Sequence, residues 1–179
     1  MNEEGNKQVF ISYKSQNKNI ADRICGILES NGYSCWIAPR NETSGKDYGG
    51  KIIDAVKKCK VVVLVASSLI NKSDHILAEI TCAFDTGKPI ICYMIEDFEF
   101  SSSLEYRLNN KHRIFATDLK TDYGKILLDS VKKYIDERTD ESRDEENGGT
   151  DNPAQEKKAD GGYRLVRTGL ADWGDAPPH

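Results

Sequence analysis

The sequence predicts an α/β domain in which helices cover both faces of a parallel sheet of five strands. Short apolar, β-branched segments alternate with segments of helical periodicity along residues 8–136. The run at residues 60–67 is apolar at every position except its two ends. A central parallel strand requires such continuous apolarity, because helices cover both of its sides.

The individual elements follow this alternation in order. Strands are predicted at residues 8–13, 33–37, 60–67, 90–95 and 113–116, and helices at about 20–30, 52–56, 74–86 and 123–135. Asn31 and Gly32 form the left-handed cap that ends the first helix. Residues 38–47 carry proline, asparagine, serine and glycine, and are predicted to form a long loop.

Five strands with short connections predict right-handed crossovers and a flavodoxin-like, doubly wound sheet in the strand order 2-1-3-4-5. Ligands of such sheets bind at the carboxyl ends of the strands. The loops after Tyr13, Ile37 and Ser67 are therefore the predicted places of function.

The folded domain is predicted to span residues 8–136, followed by an acidic tail at 137–179. Residues 137–160 contain no valine, isoleucine, leucine, methionine or aromatic side chain. Such a segment cannot bury enough apolar surface to offset its ordering entropy, so the tail is predicted to be disordered. Residues 1–136 hold 19 basic against 18 acidic side chains, and the tail 6 against 11. A near-neutral domain without a basic stripe argues against nucleic acid as a partner.

The cysteines and the amino terminus indicate a cytoplasmic protein. The five cysteines, at positions 25, 35, 59, 82 and 92, occur singly and without CxxC spacing. This pattern is typical of reduced, buried thiols rather than of a disulfide framework or a zinc site. The first eight residues are polar, and no apolar run approaches the roughly 18 residues of a spanning helix. Neither secretion by a signal peptide nor a membrane partner is expected.

Familiar catalytic motifs are absent from the sequence. It contains no GxGxxG or GxxxxGK[ST] phosphate loop and no GxSxG elbow. Its three histidines, at positions 75, 112 and 179, form no HExxH or other paired ligand spacing. We therefore expect no metal ion and no bound cofactor, and no triad hydrolase chemistry.

Three segments, taken in order, resemble the bacterial branch of the TIR (Toll/interleukin-1 receptor) domain family. They are Val9-Phe-Ile-Ser-Tyr-Lys-Ser15, Gly32-Tyr-Ser-Cys-Trp-Ile-Ala-Pro-Arg40, and Ser67-Ser followed by Ala78-Glu79-Ile80. The segments Lys88-Pro-Ile-Ile-Cys-Tyr, Ile95-Glu-Asp and Leu104-Glu-Tyr-Arg-Leu108 also fit. The resemblance runs from about Gln8 to Ile135 and implies the TIR fold.

The resemblance implies that Glu79 is a catalytic residue for cleavage of NAD+ at the nicotinamide glycosidic bond. Nicotinamide leaves as a neutral molecule from a cationic ring, so no general acid is needed, unlike ordinary glycoside hydrolysis. One carboxylate beneath the ribose can stabilise the developing oxocarbenium charge. The alternative is a solvated glutamate, which most helical glutamates are. The largely apolar neighbours of Glu79 favour the catalytic interpretation.

Other site residues carry over from the resemblance. The turn after the first strand is expected to contact the nucleotide, with Lys14 opposite the diphosphate. The loop after the second strand is expected to border the NAD+ pocket and to mediate contacts between TIR domains. The implied substrate-binding residues are Tyr13, Lys14, Ser15, Arg40, Thr43, Tyr48 and His75. Trp36 is interpreted as core packing, with stacking on a base as the alternative.

His75 departs from the family pattern, because several active relatives carry an aromatic residue four positions before the glutamate. One helical turn separates the two residues, so His75 and Glu79 share a face. Two interpretations stay open: a side chain that stacks on substrate or pairs with Glu79, and a helix-start residue without a catalytic role.

The predicted function is that of an NAD+ glycohydrolase or ADP-ribosyl cyclase, with NAD+ as substrate. The chain resembles stand-alone TIR proteins of Thoeris-type antiphage defence, which make a cyclic or modified ADP-ribose signal. The resemblance further implies self-association through TIR domains. The alternative is a non-enzymatic TIR interaction module, or an effector that interferes with host TIR signalling.

Overall fold

Five parallel strands form one sheet in the order β2-β1-β3-β4-β5. The computed structural model describes residues 7–38, 48–118 and 121–146, without the side chains of residues 48 and 138–146. The strands are β1 (Val9–Ser12), β2 (Cys35–Ile37), β3 (Val61–Ala66), β4 (Ile90–Met94) and β5 (His112–Phe115). The helices are α1 (Lys18–Ser30), α2 (Tyr48–Lys58), α3 (Asp74–Asp85), α4 (Ser102–Leu108) and α5 (Tyr123–Glu146). The predicted doubly wound α/β fold and its strand order are confirmed.

The alternation of side chains along the strands creates one apolar core on each face of the sheet. On one face, Ile11 and Val63 pack with buried residues of α1 and α5. On the other face, Phe10 and Leu64 pack with buried residues of α2, α3 and α4. All six residues of β3 are buried, which confirms its prediction as the central strand.

The strand register brings three chain turns to one edge of the sheet. Ser12 at the end of β1 pairs with Leu64 of β3, and Ile11 pairs with Ile37 at the end of β2. The side-chain amide of Asn17 donates to Ser67 Oγ at 2.8 Å, which ties the turn after β1 to the end of β3. The carboxyl ends of β1, β2 and β3 thus form the edge at which ligands of this fold class bind.

The helix ends confirm one prediction and correct another. Gly32 has a φ of 88°, the left-handed conformation predicted to follow α1. The prediction that the last helix ends near Ile135 is wrong, because α5 continues to Glu146. Charged residues such as Glu and Arg are good helix formers and need no apolar face to extend a helix that is already anchored. The buried residues Leu127 and Val131 anchor α5.

Helix α4 was not among the predicted elements. It has seven residues, and only Leu104 and Leu108 are buried. Two apolar residues one turn apart are too short a pattern for helical periodicity to be recognised. Their burial against α3 in the second core, rather than intrinsic propensity, stabilises this helix.

The described residues belong to one compact unit. This unit ends about ten residues later than the predicted domain, because it includes the whole of α5. The predicted disordered tail beyond residue 146 lies outside the described residues. Within the described part of the chain, no helix combines the length and the apolar character that a bilayer-spanning segment requires.

Leu64→Ala in the central strand is expected to lower the free energy of unfolding by about 2–5 kcal/mol, because it leaves a cavity between the sheet and its helices. Leu64 is 0% exposed, whereas Leu69 on the turn after β3 is 42% exposed. The matched change Leu69→Ala is expected to cost about 1 kcal/mol or less. Urea unfolding of both variants measures the difference, and equal losses would contradict the burial of β3.

Candidate active site

A cleft of about 280 Å³ opens at the carboxyl edge of β1 and β2, beside the start of α3. Its volume is slightly below the range of about 300–1,000 Å³ usual for small-molecule pockets. Three elements contribute its walls: the end of β1 with the turn that follows, the end of β2, and the first turns of α3. The lining residues are Phe10, Ile11, Ser12, Tyr13, Lys14, Ser15, Trp36, Ala38, Ser73, His75, Ile76 and Glu79.

Glu79 on α3 holds its carboxylate inside this cleft. Ser12, which is buried at the end of β1, donates a hydrogen bond from its Oγ to Oε2 of Glu79 at 2.6 Å. The residue stays partly exposed through the cleft, while protein atoms closely surround the carboxylate. The interpretation of Glu79 as a solvated helix residue is therefore wrong.

Burial raises the pKa of the Glu79 carboxyl from its ordinary value of 4.5 to about 7. The hydrogen bond from Ser12 acts in the opposite direction and lowers this pKa, because it favours the ionised form. Among the described residues, no lysine or arginine forms an ion pair with Glu79. The Glu79 carboxyl is therefore close to half-ionised at neutral pH. When it is ionised, no lysine or arginine of the described residues pairs with it.

The position of Glu79 depends on how α3 begins. Ser73 is the N-cap residue of α3, and its Oγ accepts a hydrogen bond from the backbone N–H of Ile76 at 3.4 Å. Ile76 and Ile80 are buried in the second core on either side of Glu79 along the helix. Because these apolar anchors fix the rotation of α3, the intervening glutamate points toward the end of β1.

A side-chain amide fixes the turn that precedes α3. This turn is a short 3-10 helix, Ser68–Lys72. Asn71 donates from Nδ2 to the carbonyl of Glu99 and accepts from the backbone N–H of Ser101, both at 2.8 Å. The two bonds join the turn to the segment between β4 and α4, so the start of α3 is held from two sides.

The turn after β1 contributes the three residues predicted there. Tyr13, Lys14 and Ser15 all line the cleft. The Tyr13 hydroxyl donates to the carbonyl of Ala38, which joins this turn to the end of β2. The Ser15 hydroxyl is exposed and donates to Oε1 of Gln16 at 3.2 Å. Tyr13 therefore shapes the cleft, while Lys14 and Ser15 offer polar groups at its opening.

Trp36 packs in the core and also reaches the cleft, while its stacking on a base stays a prediction. Its ring stacks on Phe10 with centroids 4.7 Å apart and an interplanar angle of 9°. It packs against the second core and also lines the cleft. The interpretation as core packing is confirmed, and the ring forms part of the cleft wall as well.

The remaining predicted positions are only partly described. His75 lines the cleft, is exposed, and lies one helical turn before Glu79. Arg40 and Thr43 lie outside the described residues, and Tyr48 begins α2 with a side chain that is not described. Four of the seven predicted substrate-binding residues, Tyr13, Lys14, Ser15 and His75, are therefore brought to the cleft with Glu79.

Ser12 and Ser73 were missing from the predicted site. Ser12 makes the only side-chain hydrogen bond to Glu79 among the described residues. A signal for it exists in the sequence, because Ser12 follows Phe10 by two positions and so shares its sheet face. A hydroxyl at the end of an apolar strand, on the face that carries α3, is a candidate partner for a polar residue of that helix.

A second groove adjoins the cleft. It has a volume of about 340 Å³ and is lined by Lys14, Gln16, Ser68, Leu69 and Lys72. Lys14 belongs to both depressions, so they are neighbours on the surface. The groove is lined by two lysines, and one of them, Lys14, also lines the cleft that contains the Glu79 carboxylate.

The fold and this cleft define a flavodoxin-like α/β domain with a buried carboxylate at its strand ends. The sequence profile of the TIR domain family matches residues 9–146, which is most of the chain. The chain belongs to the TIR domain family. A search of curated proteins gives no match.

Solved structures with similar folds agree with this assignment. The TIR domain of the Toll-related receptor TRR-2 from Hydra magnipapillata has a TM-score of 0.58 at 16% identity, covering 69% of this chain and 97% of that domain. A TIR-STING receptor from C. gigas in complex with 2',3'-cGAMP has a TM-score of 0.55 at 21% identity, covering 69% of this chain. This chain spans only 38% of that receptor.

A nucleotide-cleaving enzyme shares the same fold. The CMP N-glycosidase BcmB from Clostridium botulinum has a TM-score of 0.52 at 23% identity. The similarity covers 72% of this chain and 99% of that enzyme. At these identities the three similarities show the fold alone.

Glu79→Gln is expected to remove a pH dependence of stability. Because the pKa of Glu79 is raised from 4.5 to about 7 by burial, the native state binds more protons than the unfolded state between these values. This contribution to the free energy of unfolding is complete below pH 4.5 and is lost as pH rises through about 7. At about 1.4 kcal/mol per pKa unit, it amounts to roughly 3 kcal/mol at most.

The measurement is urea unfolding of the native protein and Glu79→Gln at pH 4 and pH 8. The variant is expected to gain stability relative to the native protein at the higher pH. Glu137→Gln is the control, because it is the same chemical change at an exposed residue of α5 whose ion pair with Lys133 lies on the surface. An identical pH dependence in the native protein and Glu79→Gln would show that the carboxyl is solvated.

Proposed function

We propose that this TIR domain is an enzyme that cleaves the nicotinamide glycosidic bond of NAD+. The observation that carries the proposal is the Glu79 carboxylate, which is buried in a cleft at the strand ends and held there by Ser12 at 2.6 Å. A buried anion without a cationic partner from the described chain complements a substrate that brings positive charge. The pyridinium ring and the ribosyl cation that follows it carry such charge.

The chemistry requires little more than this carboxylate. As the bond between the pyridinium nitrogen and the ribose carbon breaks, nicotinamide departs neutral and the positive charge moves to the ribose. A fixed anion that protein atoms closely surround stabilises that charge more strongly than water does. Ser12 and the capped start of α3 hold the carboxylate in place before the reaction, so little reorganisation is needed in the transition state.

The adjoining groove supports a dinucleotide substrate. The cleft itself has room for a ribose and one ring, since its volume is about 280 Å³. Lys14 and Lys72 line the neighbouring groove of about 340 Å³. Ammonium groups are suitable partners for a diphosphate, which would extend from the ribose past Lys14.

The cation is then captured by water or by another group of the same ADP-ribose. The first route gives ADP-ribose, and the second gives a cyclic product. We propose the cyclic or modified product as a signal in bacterial antiviral defence, in a cytoplasmic protein of the Thoeris type. The resemblance of the sequence to such proteins and its membership of the TIR domain family support this assignment.

A second candidate is an N-glycosidase of a pyrimidine nucleotide, as in the CMP-cleaving enzyme of similar fold. The observation that favours it is the raised pKa of Glu79, about 7, which leaves a large protonated fraction at neutral pH. A neutral base such as cytosine needs a proton to leave, and a protonated carboxyl can supply one. The small volume of the cleft also suits a mononucleotide.

Incubation of the protein with NAD+ is expected to release nicotinamide, and Glu79→Gln is expected to lower kcat by about 10²–10³ because it removes the stabilising charge. Liquid chromatography with mass spectrometry measures both nicotinamide and the ADP-ribose product. Glu137→Gln is expected to retain the native rate, because that glutamate lies outside the cleft. The assay covers a range of protein concentrations, because we propose that association of TIR domains supports activity.

Two outcomes would overturn the NAD+ proposal. Activity that survives Glu79→Gln would remove this carboxylate from the mechanism. Absence of nicotinamide release at every protein concentration would also overturn it, and absence of cytosine release from CMP as well would favour the non-enzymatic interaction module.

The pH dependence of kcat/KM separates the two candidate substrates. If the carboxylate stabilises a cation, cleavage of NAD+ rises with pH and levels off above about 7, where Glu79 is ionised. If the carboxyl acts as an acid, cleavage of CMP falls above the same value. In Ser12→Ala, loss of the hydrogen bond that lowers the pKa is expected to move either midpoint to higher pH. A pH profile with no midpoint near 7 would contradict both roles.

A further inference from the structure

Three potential metal ligands come together at the junction of α1 and β2. Cys25 and Glu29 lie one helical turn apart on α1, and Cys35 is the first residue of β2. The two Sγ atoms and a carboxylate oxygen of Glu29 all lie within 4.8 Å of one another. This cluster was not predicted, because the spacing of its residues matches no common metal motif.

We propose that Cys25, Glu29 and Cys35 bind one divalent zinc ion through two thiolates and a carboxylate. A tetrahedral zinc ion with Zn–S bonds of about 2.3 Å places two sulfurs about 3.8 Å apart. The observed spacing of 4.8 Å or less needs side-chain movements of about 1 Å to reach this arrangement. Thiolates favour zinc over magnesium and calcium, which prefer oxygen ligands.

The backbone around the cluster is already fixed. The short connection between α1 and β2 turns at Gly32, whose N–H donates to the carbonyl of Glu29 at 3.0 Å. Tyr33 N–H donates to the carbonyl of Leu28, also at 3.0 Å. Cys35 pairs with Val9 in the sheet. The helix and the strand that supply the ligands are thus held in register without the metal.

The burial of the three residues suggests how an ion reaches them. Cys25 is 3% exposed and Cys35 is 0% exposed, whereas Glu29 is exposed. An ion arriving from solvent therefore meets the carboxylate first, and the fourth coordination position faces water on the same side. Binding releases the two thiol protons to the solvent, and the Sγ of Cys35 gives up its hydrogen bond to the carbonyl of Tyr33 at 3.5 Å.

The cluster is separate from the cleft that contains Glu79. Cys25 and Cys35 belong to the core between the sheet, α1 and α5, whereas α3 packs on the opposite face. Cys35 also begins β2, while the cleft lies at the carboxyl ends of the strands. A zinc ion here would cross-link α1 to the edge strand, and this role does not depend on the proposed enzymatic function.

The test is titration of the full-length, reduced protein with Co²⁺ as an optical probe for zinc. One equivalent is expected to produce the near-ultraviolet charge-transfer absorption of Co²⁺ thiolates, and Zn²⁺ is expected to abolish it. Cys25→Ser and Cys35→Ser should each weaken this absorption. Each should also lower the affinity for Zn²⁺ by more than about 10-fold, because loss of an outer-shell partner alone costs about that much. Cys59→Ser is the matched control, because Cys59 is 1% exposed and lies outside the cluster.

Glu29→Gln provides a test that does not disturb the core, since this side chain is exposed. It is expected to weaken Zn²⁺ binding by more than about 10-fold, because it removes a direct ligand, while the fold, measured by circular dichroism, is retained. One equivalent of Zn²⁺ is also expected to raise the Tm of the native protein, and to raise it less in this variant. Absence of thiolate absorption, or absorption that is unchanged in Cys25→Ser and Cys35→Ser, would overturn the proposal.

Discussion

The candidate site depends on one hydrogen bond, from the Ser12 hydroxyl to the Glu79 carboxylate. It joins the last residue of β1 to the second turn of α3, across 67 positions of sequence. Burial raises the pKa of this carboxyl, because desolvation disfavours the charged form. The serine opposes that effect, so the pKa stays near 7 and an ionised fraction remains available. The chemistry of the cleft follows from the balance between these two effects.

The hydrogen bond between Ser12 and Glu79 requires α3 to be placed accurately, and apolar packing fixes the position of this helix. Ile76 and Ile80 are buried against the sheet, and the Ser73 cap defines where the helix begins. Glu79, which directly precedes Ile80, is thereby directed toward the end of β1. A site built in this way reduces stability at neutral and alkaline pH, since an ionised buried carboxylate is disfavoured in the native state. The structure thus retains a locally unfavourable group at the one place where a cation would stabilise it.

The fold was largely predictable from the sequence, because its strongest signals are local. The apolar run of β3 and the glycine after α1 each specify an element without reference to distant residues. The site was predictable only in part. Glu79, Tyr13 and Lys14 were found through resemblance to a family, whereas the role of Ser12 depends on a long-range contact with α3. The length of α5 was missed for another reason: helix extension through charged residues leaves no periodic apolar pattern.

The edge strand β2 connects the two sites that the structure suggests. It has three residues and pairs only with β1 in the sheet, so side chains on both of its faces must hold it in place. On one face Trp36 stacks on Phe10 and forms part of the cleft wall. On the other face Cys35 meets Cys25 and Glu29 of α1. Because neighbouring residues of a strand point to opposite faces, any ligand that fixes Cys35 also restrains Trp36 through the backbone they share. A metal ion bound by Cys35 on its face of β2 would therefore make the wall of the cleft on the opposite face more rigid, without touching the substrate.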